Sequence, residues 1–170
     1  MPPAAERRLF WATAGGVLLL DLATKLLAED RLLRAVAVPV LGEWFQLRLV
    51  YNPGAAFGLH LGPLSRWIFL GVAVLAVIVL ARMSLTAPAG DRLRQVALGA
   101  VAGGAAGNLV DRIRSPRGVV DFFDVGVGAL RWPTFNVADV AVSCGAIALA
   151  LVLWREDARR GAASESAPAA

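Results

Sequence analysis

The chain has 170 residues, 58% of them hydrophobic, with a formal net charge of +4 and a mean hydropathy of +0.63. Soluble domains run nearer about 45–50% apolar, so this chain reads as an integral membrane protein with room for one small bundle and none for a second soluble domain. A single Cys excludes an intramolecular disulfide, and a single His excludes a multi-His metal centre. The basic residues are scattered between apolar runs, which suits anchoring to anionic headgroups and not a nucleic-acid patch.

Apolar stretches lie at 9–27, 64–81, 96–113 and 135–154. Each comes near the ~20 residues an α-helix needs to cross hydrocarbon. They predict an all-α membrane protein, a four-transmembrane-helix bundle forming one domain over residues 1–160. In the first stretch, Arg7 and Arg8 precede an apolar core as in a cleaved signal peptide. Asp21 and Lys25 follow that core in place of a small-residue cleavage site, so the stretch is read as a retained span. Next, in Glu43 to Asn52, Trp44, Gln46 and Arg48 alternate with Phe45, Leu47, Leu49 and Tyr51. That period of two predicts a strand, and a small β-structure lying on the membrane surface, expected on the outer side opposite the termini, fits it. The third stretch is diluted by Gly99, Gly103, Gly104 and Gly107, whose small size lets helix backbones approach. Trp44, Trp67, Trp132 and Trp154 read as interfacial anchors, His60 as a surface loop residue, and the small, polar tail 161–170 as disordered. Four spans put both termini on one side, and the arginine distribution favours cytoplasmic termini only slightly.

Span parity gathers the polar residues. Asp21 and Lys25 fall at the far end of the first span, Asn108, Asp111 and Arg112 at the far end of the third, and Asn136 and Asp139 at the near end of the fourth. Asn52, Asp121 and Asp124 lie in the connections on that same side. A carboxylate at the bilayer centre costs roughly 2.5–3.5 kcal/mol, so acids embedded there point to function. The implied feature is a polar pocket at membrane depth, near the interface opposite the termini.

His60 has no matching Ser, so no Ser-His-Asp arrangement is available. Cys144 sits deep in an apolar stretch without a His partner and is expected to act as a buried small hydrophobe. Paired carboxylates remain. Two close acids share a proton, so that one accepts from water while the other donates to a carbonyl oxygen. Asp121 and Asp139 are the natural pair. The bland reading makes each a structural carboxylate paired with an arginine. Asp111 and Arg112 read as tying helix ends together. Asp21 and Lys25, at i and i+4, read as a structural ion pair. Asn52 and Asn136 are either turn residues or contacts to substrate or carboxylate. A transporter or channel would also use intramembrane acids, but Val72 to Leu80 and Ala146 to Trp154 are almost wholly apolar and leave no polar path. A non-catalytic assembly factor would need no paired acids on one face.

Several motifs carry a resemblance to a family. Asp21-Leu-Ala-Thr-Lys25, Tyr51-Asn-Pro-Gly-Ala-Ala-Phe-Gly58, Gly107-Asn-Leu-Val-Asp-Arg112, Val119-Val-Asp-Phe122 and Phe135-Asn-Val-Ala-Asp139 occur in order, at spacings that resemble lipoprotein signal peptidase, or signal peptidase II. The likeness covers about Trp11 to Trp154. It implies a bacterial inner-membrane aspartic endopeptidase, multi-pass, with both termini cytoplasmic and the site near the outer face. It implies cleavage of prolipoproteins before the S-diacylglyceryl cysteine, with diacylglyceryl-modified precursors and membrane lipids as partners, no nucleic acid and no cofactor or metal. A monomer is expected. The catalytic pair falls on Asp121 and Asp139; Asn52, Gly54, Asn108, Asp111, Arg112 and Asn136 form the substrate-binding or polar shell; Asp21 and Lys25 are structural. The Gly-rich stretch 124–133 corresponds to a region that includes a mobile interfacial segment in the family. Substrate peptide is expected to pass the dyad extended, adding to the strand at Glu43 to Asn52.

Overall fold

A computed structural model describes residues 2–54 and 62–165. The order is α1 (Ala4–Arg31), β1 (Ala37–Leu41), β2 (Phe45–Asn52), a 3-10 turn (Gly62–Leu64), α2 (Ser65–Thr86), α3 (Arg92–Arg114), β3 (Val119–Val127), β4 (Leu130–Arg131) and α4 (Val137–Glu165). Each helix overlaps one expected apolar stretch and runs past it, because charged residues such as Glu6, Arg31, Arg92 and Arg155 extend the helical ends. The expected tail 161–170 falls partly on α4, which runs to Glu165, and otherwise outside the described residues, as does His60.

Among the described residues three helices, Ala4–Arg31, Ser65–Thr86 and Val137–Arg160, are long and apolar enough to cross a membrane. Their apolar side chains, such as Leu19, Val72, Leu75 and Ile147, are exposed, an arrangement stable only under a lipid coat. α3 is not among them, and its place explains why. It packs against α1, α2 and α4, so its neighbours, not lipid, cover it. Its small residues serve that contact: a Cβ on Gly103 would lie 2.5 Å from the Ala14 carbonyl oxygen, and one on Gly104 2.5 Å from that of Ala138. Phe10, Leu80, Leu98 and Ala102 form the buried core.

Polar ties close the end of the bundle where α1 begins. The Glu6 carboxylate accepts the Gly90 N–H at 3.0 Å. Ser84 Oγ donates to Gln95 Oε1 at 2.6 Å inside the helix pair, and Arg94 pairs with Asp91 at 2.9 Å and with Glu156. The sheet caps the opposite end.

The antiparallel sheet has the order β1-β2-β3-β4. β2 is therefore flanked on both sides, and its edge cannot receive the extended peptide expected there; that expectation is corrected. Leu47 pairs with Phe123 and Val50 with Asp121, so Arg48 and Leu49 oppose Phe122 alone. This is a bulge, which bends a strand and re-aims its side chains, and it lies beside Asp121. Gly118 holds φ at +102°, and a Cβ there would collide with the Asn52 backbone oxygen, so β3 can start against β2 only from glycine. β3 also grips the entry to α4: the Phe122 and Phe123 N–H groups donate to the Phe135 oxygen at 3.0 and 2.8 Å. The Gly-rich stretch 124–133 forms the β3–β4 hairpin, where Arg131 Nε meets Asp124 at 2.5 Å. Trp44, Trp67, Trp132 and Trp154 are all exposed.

Candidate active site

The first turn of α4 begins at Asn136. Its Oδ1 accepts the Asp139 N–H at 3.0 Å, and Asp139 Oδ2 accepts the Asn136 N–H at 3.1 Å. This reciprocal box satisfies donors that a helix start leaves orphaned. A further orphan, the Ala138 N–H, goes to Asp21 Oδ1 at 2.9 Å. Asp139 thus sits where the helix dipole favours a negative charge.

Asp121 arrives from β3 and is buried. Asn136 Nδ2 donates to its Oδ1 at 2.7 Å, and Asn52 Nδ2 to its Oδ2 at 3.2 Å. The Asn52 oxygen is occupied by the Gly54 N–H at 3.0 Å, an Asx turn that aims the Asn52 amide at the carboxylate. Burial, and then the charge of Asp139, push the Asp121 carboxyl up from 3.8 to about 7, against the lowering effect of the Asn52 and Asn136 hydrogen bonds.

Behind the two acids lies a buried hub. Lys25 Nζ meets Asp21 at 2.7 Å, Asp111 at 2.8 Å and Asn108 Oδ1 at 2.9 Å. An ammonium has three donors and no acceptor, so all are used. Asn108 Nδ2 then donates to Asp139 Oδ1 at 2.9 Å. Asp111 reaches outward: its Oδ2 accepts the Val120 N–H at 3.1 Å, and its Oδ1 meets Arg114 at 2.9 Å. Arg112 donates to the Asn108 oxygen at 3.0 Å and to the Gly54 oxygen at 2.9 Å, which holds the turn after β2 against α3. Asp124 pairs instead with Arg131 and Arg48 on the sheet; every other residue named from sequence for this site, from Asp21 to Asp139, falls in one connected network.

Both acids, with Asn52, Asn108 and Arg112, line a cavity of ≈ 440 Å³ whose other wall is Trp132, Pro133, Phe135, Val140 and Cys144. A polar floor beside an apolar wall can hold a peptide carbonyl and water together with a hydrocarbon chain. Cys144 departs from expectation: it is exposed and lines this wall. Sequence reasoning also passed over Glu29, which accepts from the Tyr51 hydroxyl at 3.0 Å and pairs with Arg114 at 2.7 Å, bracing the end of α1 against β2 and α3. Its only signal was an acid at the foot of an apolar run.

Comparisons with known proteins place the chain. The family model described as signal peptidase (SPase) II matches residues 13–155. A lipoprotein signal peptidase of Rhodococcus jostii (strain RHA1) is 42% identical over 161 residues, covering 89% of this chain and 75% of the relative. One from Syntrophus aciditrophicus (strain SB) is 40% identical over 144 residues, covering 83% of this chain and 89% of the relative. Among solved structures, a bacterial membrane enzyme determined by the in meso method at 2.3 Å resolution superposes with a TM-score of 0.79 at 25% identity, covering 87% of this chain and 88% of that one. A match across most of the chain, with relatives of this identity and coverage, shows that the chain belongs to the signal peptidase II family of peptidases.

Proposed function

We propose that this chain is a membrane-embedded aspartic endopeptidase that removes the signal peptide from prolipoproteins by cutting before the S-diacylglyceryl cysteine. The observation that carries this reading is the pair of acids, Asp121 and Asp139, on one cavity and both held by the Asn136 amide side chain and backbone. All four helices span the membrane, α3 shielded by the rest, with the sheet and the site at the outer face and both termini cytoplasmic. The protein works as a monomer. The substrate's acyl chains lie along the apolar wall by Val140 and Cys144, and its peptide crosses the polar floor.

We assign the shared proton to Asp121, whose burial on a strand favours its neutral form, and the role of base to Asp139. Asp139 takes a proton from water as that water attacks the scissile carbonyl. Asp121 gives its proton to the carbonyl oxygen, and the dyad then returns a proton to the leaving amine. The Asn52 amide and Arg112 keep Asp121 and the neighbouring turn in place.

The test is cleavage of a diacylglyceryl-modified prolipoprotein by purified protein in detergent, wild type beside Asp139→Asn. Cleavage before the lipidated cysteine, lost in the variant, supports the reading. A folded wild type that leaves the substrate whole, while a known peptidase of this family cuts it, overturns it.

A further inference from the structure

We propose that a second cavity, behind the candidate active site, holds the phosphate of an anionic phospholipid headgroup through Arg66. The proposal does not rest on the peptidase reading; it needs only a bundle that stands in a membrane with the sheet at one interface. The cavity measures ≈ 330 Å³. It lies where the turn after β2 (Pro53), the start of α2 (Arg66 and Trp67), the end of α3 (Arg112) and the connection to β3 (Pro116) meet. Its described lining holds two guanidinium groups and no carboxylate.

The two cations differ. Arg112 lines this cavity and the catalytic one, and Asp139 and Asp121 answer its charge from the catalytic side. Arg66 Nε donates to the Arg112 oxygen at 2.6 Å and its Nη2 to the Ile113 oxygen at 3.0 Å. These carbonyls fix the guanidinium and carry no formal charge. Among the described residues no carboxylate pairs with Arg66. A guanidinium has five N–H donors, so three remain for an oxyanion, and its planar fork suits phosphate. The margin of the cavity is apolar. The Arg66 guanidinium lies 5.0 Å from the centre of the Trp67 ring, and Trp67, Leu64 and Ile113 are exposed. A tryptophan of this kind sits at headgroup depth, with the apolar residues beside it open to acyl chains. A free phosphate ion uses only the guanidinium; a phospholipid uses the guanidinium and the margin. The bound headgroup sits one side chain, Arg112, away from the cavity that holds Asp121 and Asp139.

The experiment is a thermal melt of the purified protein in detergent with short-chain phosphatidylglycerol, phosphatidylcholine of the same chains, or inorganic phosphate. Phosphatidylglycerol should raise the melting temperature by about 3 °C or more, and the two controls by less than about 1 °C. Arg66→Gln should bind phosphatidylglycerol about tenfold more weakly and lose most of that rise. Arg82→Gln removes the same charge from an exposed position toward the far end of α2 and should keep it. Rises are compared within each chain, because Arg66→Gln also frees the α3 carbonyls and lowers its melt in every condition. No rise with phosphatidylglycerol, the same rise from either control, or an equal loss in both variants overturns the proposal. If Arg66→Gln gives no cooperative melt, phosphatidylglycerol with a photoreactive headgroup decides on the wild type: adducts at 64–67 and 112–118 support the site, and adducts only elsewhere overturn it.

Discussion

Asn136 and Asp139 cap one another across the first turn of α4, the side-chain oxygen of each accepting the backbone N–H of the other at 3.0 and 3.1 Å. The same carboxylate that completes a helix start therefore faces the cavity. This ties the direction of Asp139 to the existence of α4, so the proposed base is held by backbone geometry and not by side-chain packing alone. It also separates two roles that substitution can pull apart.

Asp139→Asn keeps an oxygen that can accept the Asn136 N–H but cannot act as a base. Turnover should fall on the order of 10³-fold or more, while the melting free energy stays within about 1 kcal/mol of wild type, the scale of a capping interaction. Cleavage rates and thermal melts on one detergent preparation check both. Substantial turnover by this variant would remove Asp139 from the dyad.

Asp121 gives the pH dependence. Its folded pKa, about 7, lies above its ordinary 3.8. Between those values the folded chain holds a proton that the unfolded chain has lost, so stability falls as pH rises through the window and levels off above it. The drop is on the order of a few kcal/mol. Asp121→Asn removes this titration, so the difference between variant and wild-type melting temperatures should change steadily across the window and flatten above about pH 7. If Asp121 is the proton donor, as proposed, activity of the wild type should fall as pH passes that same value, because the donor empties. An activity that keeps rising well above it would place the donor elsewhere.

The positions of the helices and of the polar residues were legible because membrane spans announce themselves by apolar length, and span parity then places their ends. The strand Phe45–Asn52 was legible from its alternation. Three features were not. The bulge at Arg48 and Leu49 arises only when β2 meets β3. The internal place of β2 depends on β1, whose exposed Val38 and Val40 carry no alternation to mark a strand. The exposure of Cys144 depends on which side of α4 its neighbours occupy, and an apolar run with lipid on one side and helices on the other looks the same in sequence from every side.

Gly104 sets the distance between α3 and the first turn of α4. A Cβ there would lie 2.5 Å from the Ala138 oxygen and 2.8 Å from Val142 Cγ2, and helix backbone has little room to give. Gly104→Ala should lower stability by about 1–3 kcal/mol. It should also lower kcat more than KM changes, because the push falls one residue before Asp139. Melts and steady-state kinetics check this; an unchanged kcat with a lowered melting temperature would show that the dyad does not follow the helix contact.

Cys144 offers a test of the apolar wall apart from the acids. Its side chain lines the same cavity as Asp121 and Asp139, one helical turn and more beyond Asp139, and it is exposed, so a larger residue can be seated there without breaking a packed helix contact. Cys144→Trp should fill much of the wall while leaving the Asn108, Asn136 and Lys25 network intact. For a substrate carrying two acyl chains, KM should rise about tenfold or more, the equivalent of losing roughly 1.4 kcal/mol of apolar contact, with a much smaller change in kcat. A peptide lacking the acyl chains should show no such difference between variant and wild type. If Cys144→Trp lowers kcat for both substrates equally, the wall shapes the chemistry itself and does not serve as the seat of the hydrocarbon chains.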